Sequence, residues 1–197
     1  KVFPQIIHFL KISRSGWRQT VDMLSRQDID AIVEAYGQAA ARARACGFDG
    51  VELHMAHAYT LSSFLSRVNP RKDEYGGSLA NRSRLVREVV AAVRGVWPDQ
   101  LPLLVRISAT DWVPGGWDAD QSVELCRELA GLGVDLVDVS SGGTSTAAVV
   151  PAGPGYQSAF AERIRREAGI RTGAVGLITS RVLGGEGSWP RQYLRAR

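Results

Sequence analysis

The chain has 197 residues, 45% of them hydrophobic, which is enough for one sizeable core, and one domain is expected. Its 24 basic and 20 acidic residues are interspersed and leave a formal net charge of +4, a mild basicity that favours neither a nucleic acid nor a membrane surface as partner. No apolar run approaches the roughly 20 residues that cross a bilayer, and the first residues lack a signal-peptide pattern. Cys46 ends one helical pattern and Cys126 sits inside another. Both read as small buried hydrophobes rather than as a bridge or a metal site, so a reducing, cytoplasmic location is expected.

In chain order, Lys1 to Leu24 mixes apolar and basic residues without a sustained period and is left unassigned. From Ser25, a capping residue with Asp28 three positions on, apolar and small residues fall at helical spacing as far as Gly47. The short run Gly50 to Leu53 is β-prone and leads directly into His54, Met55, Ala56 and His57. A long loop follows, then a helix over Leu79 to Val96 that Trp97-Pro98 ends, then a strand over Leu101 to Ser108 expected to be buried on both faces. The alternation repeats twice more. A helix over Ala119 to Leu132 precedes a strand over Val134 to Ser140, and a helix over Ala159 to Ala168 precedes a strand over Ile170 to Ile178.

Helices alternating with short apolar strands call for parallel β/α units, an α/β fold. Four such strands are visible, and a closed (β/α)8 TIM barrel needs eight strands and typically about 250 residues, so a partial barrel is expected. An open doubly wound sheet is the structural alternative, although the G-x-G-x-x-G turn that marks many of them is absent.

Polar residues recur where the strands end: His54 and His57, Arg106 and Ser108, Ser140 and Ser141, Gly173 and Gly176. In parallel β/α folds that edge is where active sites form. Two neighbouring imidazoles can clamp one carbonyl oxygen and stabilise charge developing on it. The H-x-x-H spacing also occurs in metal sites, but zinc needs a third protein ligand and the only other histidine is His8.

The run Gly47-Phe48-Asp49-Gly50-Val51-Glu52-Leu53-His54-Met55-Ala56-His57-Ala58-Tyr59, together with Asp73-Glu74-Tyr75-Gly76-Gly77-Ser78, Val105-Arg106-Ile107-Ser108-Ala109, Val137-Asp138-Val139-Ser140-Ser141-Gly142, Pro154-Gly155-Tyr156-Gln157 and Thr172-Gly173-Ala174-Val175-Gly176, resembles the old yellow enzyme family of flavin-dependent ene-reductases. The matches stay in order from about Ser25 to Ser180, and they place the visible strands as the fourth to seventh of the family barrel.

The resemblance implies an FMN enzyme that takes reducing equivalents from NADPH or NADH and reduces activated C=C bonds, its partner being a small-molecule activated alkene, with a homo-oligomer possible in the full-length form. Residues matching His54 and His57 bind the substrate oxygen above the flavin. The residue matching Tyr59 protonates the α-carbon, for which a phenol retains its proton at neutral pH. The residue matching Arg106 faces the flavin N1/O2 edge, where a cation stabilises reduced flavin. Gly176 lies on the strand that leads to the FMN phosphate site, although a plain strand-to-helix turn would also use a glycine there. The Asp73 to Ser78 motif reads as a structural loop. Domain bounds on this reading are a leader over 1–24 without counterparts of the family's first three strands or of the glutamine on the third, a flavin-oxidoreductase domain over 25–180, and a divergent basic tail over 181–197. A remnant that binds no FMN on its own is the alternative.

Overall fold

The computed structural model describes residues 1–178. Five parallel strands form one sheet: β1 (Gln5–Ile6), β2 (Val51–Met55), β3 (Leu103–Ser108), β4 (Leu136–Ser140) and β5 (Arg171–Ala174). Each strand pairs with the next in sequence, so among the described residues the sheet grows in one direction. A doubly wound sheet reverses its strand order at a switch point, and this one does not.

Four strands are expected from sequence and five are present. The extra strand falls in the stretch left unassigned, where Gln5 registers with Glu52 and Ile6 with Leu53. Two paired residues are too few for a periodicity to be seen. The pairing comes from the free edge of β2: Glu52 N donates to Pro4 O at 3.0 Å, and Asp49 N donates to Val2 O at 3.1 Å. Proline lacks an N–H but keeps its carbonyl, so it suits an outermost strand. Strand β1 lies beside β2 on the side away from β3.

The helices are set by their caps. For α1 (Arg26–Ala45), Ser25 Oγ accepts from Asp28 N at 3.1 Å and the Asp28 carboxylate accepts from Ser25 N at 2.8 Å, a reciprocal capping box. For α5 (Ala119–Gly131), Asp118 accepts from Gln121 N at 2.9 Å. The helix expected over Leu79 to Val96 is instead two, α3 (Leu79–Arg82) and α4 (Arg84–Arg94). Between them Ser83 turns its hydroxyl back to Leu79 O at 2.8 Å, the local bonding that makes serine a poor interior residue. Two further helices, α2 (Thr60–Leu65) and α6 (Ser158–Ala168), follow β2 and precede β5.

The strands alternate in burial. Val51, Leu53, Met55, Val105, Ile107, Val137 and Val139 are all buried and join Ile29, Tyr36, Leu85, Val89, Val93, Leu125 and Leu129 of the helices in one continuous cluster. Full burial of a Val, Leu or Ile side chain stabilises by about 1.5–3 kcal/mol, so this helix-covered face holds the fold together. The opposite face carries Glu52, His54, Leu104, Arg106, Ser108, Leu136, Asp138 and Ser140. Burial of β3 on both faces is thus corrected: Leu104 and Arg106 are only half-buried, alternating with Leu103, Val105 and Ile107. Among the described residues no helix is long and apolar enough to cross a membrane.

Candidate active site

The ladder registers set a row across the polar face: His54 opposite Arg106, Arg106 opposite Asp138, and Asp138 opposite Gly173. Directly opposite residues on neighbouring strands project to the same face, so these groups meet. Arg106 Nη1 lies 3.1 Å from Asp138 Oδ2. Burial pushes the Asp138 carboxyl up to about 6, further assisted by the negative Glu52, while the Arg106 cation pulls the other way without prevailing. Arg106 Nε and His54 Nδ1 are buried and make no hydrogen bond. His54 is inside β2 rather than after it, because the ladder extends to Met55.

Beyond Met55 the chain turns sharply, with His57 and Ala58 both in the left-handed region at φ 57° and 60°. Such backbone costs on the order of 1–3 kcal/mol per residue and persists only where the surroundings impose it. Here His57 N donates to Ser108 Oγ at 3.1 Å, and Ser108 Oγ donates to Gly142 O at 2.8 Å. Gly143 closes over the turn so tightly that a Cβ on it would stand 2.8 Å from His57 Cα. The turn brings His57 Nδ1 to 3.3 Å from His54 Nε2, and places His57 Nε2 at 2.8 Å from Ser140 Oγ. Burial, then the neighbouring His57 and Arg106, lowers His54 to about 4. Burial and Arg106 also lower His57. Both rings are therefore neutral at pH 7, each with one N–H to donate.

Tyr59 caps the start of α2, and its ring stands edge-on to His54 with centroids 5.1 Å apart and to Phe9 at 4.8 Å. A cavity of about 640 Å³ opens beside His57 and Tyr59, walled by Phe9, Leu10, Ile12 and Val21 of the leader. Its size suits a small organic molecule, and besides the apolar wall Arg18, Gln19, Asp22 and Asn69 join His57 and Tyr59 as polar lining.

His54, His57, Tyr59 and Arg106 are thus brought together from β2, its following loop and β3. Gly176 stands apart from the strand it was assigned to, because β5 ends at Ala174. It has φ 99°, and a Cβ there would lie 2.6 Å from Gln157 Nε2, so the turn is closed to any other residue without rearrangement. Cys46 is exposed at the end of α1, contrary to its expected burial, because the helix stops at Ala45 and leaves it on the cap; Cys126 is buried. His8 bonds Thr60 Oγ1 through Nδ1 at 2.7 Å. Among the described residues no group of three His, Cys, Asp or Glu is placed to hold a metal. The Asp73 to Ser78 motif folds on itself: Asp73 accepts from Tyr75 N at 3.1 Å, and Asn69 Nδ2 donates to Tyr75 O at 2.8 Å. The expected basic tail lies outside the described residues.

Three groups beside the site were not singled out by sequence. Gln5 shares the polar face and donates to Glu52 Oε1 at 2.5 Å. Asp138 partners Arg106, and the alternation of polar residues along β4 carries that signal. Gln157, 2% exposed, accepts from Ser141 Oγ at 2.5 Å. Gln157 ends the run Pro154 to Gln157 that the resemblance uses, but its contact with Ser141 is made only by the fold.

A one-directional parallel sheet with paired imidazoles, a phenol and a half-buried guanidinium toward the carboxyl ends of its strands has its polar groups where active sites of parallel β/α folds form. The model of the NADH:flavin oxidoreductase / NADH oxidase family matches residues 8–182, and the chain belongs to that family, whose cofactor is FMN with NADH or NADPH as reductant. The match begins at His8 and so takes in much of the leader. The chain is 52% identical over 162 residues to an NADPH dehydrogenase of Geobacillus thermodenitrificans, covering 80% of this chain and 46% of that protein. It is 50% identical over 182 residues to an NADPH dehydrogenase of Bacillus licheniformis, covering 90% and 50%. The solved structure of morphinone reductase in complex with tetrahydroNAD superposes with a TM-score of 0.59 at 32% identity, over 76% of this chain and 39% of that one. The fold is accordingly part of a TIM barrel, and the chain spans about half the length of these NADPH dehydrogenases.

Proposed function

We propose that this chain carries the substrate-binding side, and part of the flavin-facing side, of an FMN-dependent oxidoreductase that reduces C=C bonds conjugated to a carbonyl or nitro group at the expense of NADPH or NADH. The observation that carries it is the approach of His54 Nε2 to within 3.3 Å of His57 Nδ1 on two neutral rings. An oxygen entering there accepts from both, and negative charge growing on it is stabilised by donors already in place.

The remaining residues fit around that point. Tyr59, with its ring against His54, is the acid for the α-carbon. Arg106 keeps a buried Nε without a partner, a donor suited to the electron-rich edge of a flavin ring. The assignment of Gly176 to the phosphate site rests on the family resemblance, because the space beside its Cα is filled by Gln157 and Tyr156. Bound FMN supplies the hydride for the β-carbon, and this chain's part is to hold the oxygen, polarise the alkene and deliver the proton. We place the oxidoreductase domain over 25–180, with β1 of the preceding leader paired to the edge of its first strand, β2.

The experiment is to purify the protein with FMN, titrate it with p-hydroxybenzaldehyde, and assay cyclohexenone reduction by NADPH. A charge-transfer band with the phenol and saturable, NADPH-dependent loss of the enone are expected. A flavin-loaded protein that oxidises NADPH yet neither binds the phenol nor reduces the enone would overturn the ene-reductase assignment. Arg106→Leu is expected to weaken FMN binding and lower the flavin midpoint potential together, since one cation serves both.

A further inference from the structure

We propose that Ser140 is a positioning residue: its hydroxyl, oriented through Gln157, donates to His57 Nε2 and thereby holds the His57 proton on Nδ1, the nitrogen that faces His54 and the substrate oxygen. The inference rests on reading His54 and His57 as oxygen binders. A neutral imidazole donates from one nitrogen and accepts at the other, so His57 serves that role only in the Nδ1–H form.

The direction of the hydrogens follows from a donor with no choice. Trp112 Nε1 can only donate, and it does so to Ser141 Oγ at 2.9 Å. The Ser141 hydrogen therefore goes onward to Gln157 Oε1 at 2.5 Å. Gln157 Nε2 donates to Val175 O at 3.1 Å, which turns the amide oxygen toward the two serines and leaves Ser140 no donor from that side. Ser140 Oγ then has two acceptors within reach. Gln157 Oε1 is 3.4 Å away and already engaged by Ser141, whereas His57 Nε2 is 2.8 Å away. If His57 Nε2 donated instead, the Ser140 hydrogen would be left only the 3.4 Å contact to an oxygen already engaged by Ser141, a length at which hydroxyl hydrogen bonds are weak, so the arrangement in which Ser140 donates to His57 Nε2 gives that hydrogen its good bond. Ser140 is 5% exposed and Gln157 2%, which keeps water from competing.

The consequence reaches His54. With no oxygen present, His57 Nδ1–H donates to His54 Nε2 across 3.3 Å, and the His54 proton is left on Nδ1, a buried nitrogen without a partner. A carbonyl oxygen at the mouth takes the His57 hydrogen and favours the His54 tautomer protonated on Nε2. The buried, unsatisfied N–H disappears in that exchange, since Nδ1 is then left without a hydrogen. Ser140 thus makes the empty pair a less satisfied arrangement than the filled one.

The test is long-range 1H–15N correlation of 15N-histidine-labelled protein. The chain has three histidines, and His8→Gln and His54→Asn suffice to assign them. His57 is expected to show a protonated Nδ1 and a bare Nε2. Ser140→Ala should move the proton toward Nε2 and weaken p-hydroxybenzaldehyde binding about tenfold, the scale of one hydrogen bond. Ser140→Thr keeps a hydroxyl and should retain both properties. A purely structural serine would lower stability without moving the tautomer. A His57 proton on Nε2 in the unsubstituted protein overturns the proposal, as does Ser140→Ala with an unchanged tautomer. Should Ser140→Ala not fold, the unsubstituted and Ser140→Thr spectra still decide. A protein with the proton on Nδ1 that binds no phenol would support the role of Ser140 and overturn the oxygen-binding reading.

Discussion

The two faces of the sheet are made by the same strands and behave as different materials. On the helix-covered face Leu53, Val105 and Val137 are 0% exposed and belong to the continuous hydrophobic cluster. One residue away on each strand, His54, Arg106 and Asp138 form a polar row in which Arg106 Nε and His54 Nδ1 remain unpaired. Period-two alternation lets one short strand contribute stability with one set of side chains and chemistry with the other. Unpaired buried groups cost stability, so the polar face draws on what the apolar face supplies.

Substitutions should separate the two faces. Leu53→Ala, on the apolar face, should cost about 2–5 kcal/mol of unfolding free energy, measured by denaturant titration, because it leaves a cavity among well-packed neighbours. The contrast would be lost if that variant unfolded like the parent. On the polar face, His54→Ala combined with His57→Ala should leave the denaturation midpoint within about 0.5 kcal/mol or raise it, since a strained, partly unsatisfied pair is removed. The same change should lower enone reduction by about 10²-fold or more, with FMN still bound. Turnover at the parental rate would refute the role of the pair.

Asp138 gives a test that uses pH. Its carboxyl has a pKa of about 6 in the fold against 3.8 as a free group. Here the folded state binds the proton more tightly than the unfolded chain, so stability from this group is present below pH 4 and declines as pH rises to about 6. The advantage of Asp138→Asn over the parent should therefore grow across that window and then level off. Its ceiling is about 3 kcal/mol, at roughly 1.4 kcal/mol per pKa unit, and the Arg106 pairing lost in the variant reduces it. A difference that stays constant from pH 4 to 7 would show that burial does not govern this carboxyl. The smallest effect belongs to the outer layer: Ser25→Ala removes one side of the capping box and should cost about 1 kcal/mol with no change in ligand binding.

Much of this arrangement is readable without coordinates. The α1 cap, the glycine-ended helices and the four longer strands follow from local signals that the structure keeps. The placement of His54, His57 and Arg106 near one another is legible at strand ends, which β/α units bring together, whereas Tyr59 enters through the family resemblance. Strand β1 was not readable, since a two-residue pairing has no period and exists only because β2 offers an open edge. The break at Ser83 was missed because an apolar helical period continues across it.

The order and type of the four longer β/α units and the family to which the chain belongs are determined by the sequence alone, because each is written in spacings of a few residues. The tertiary structure decided the rest. Only the left-handed turn at His57 and Ala58, held by Ser108 and Gly143, sets which imidazole nitrogens meet. Only the fold brings Gln157, 17 residues further along the chain, to Ser140 and so to His57. Hydrogen-bond direction and proton position depend on distances between groups remote in sequence, and no local pattern of residues encodes them.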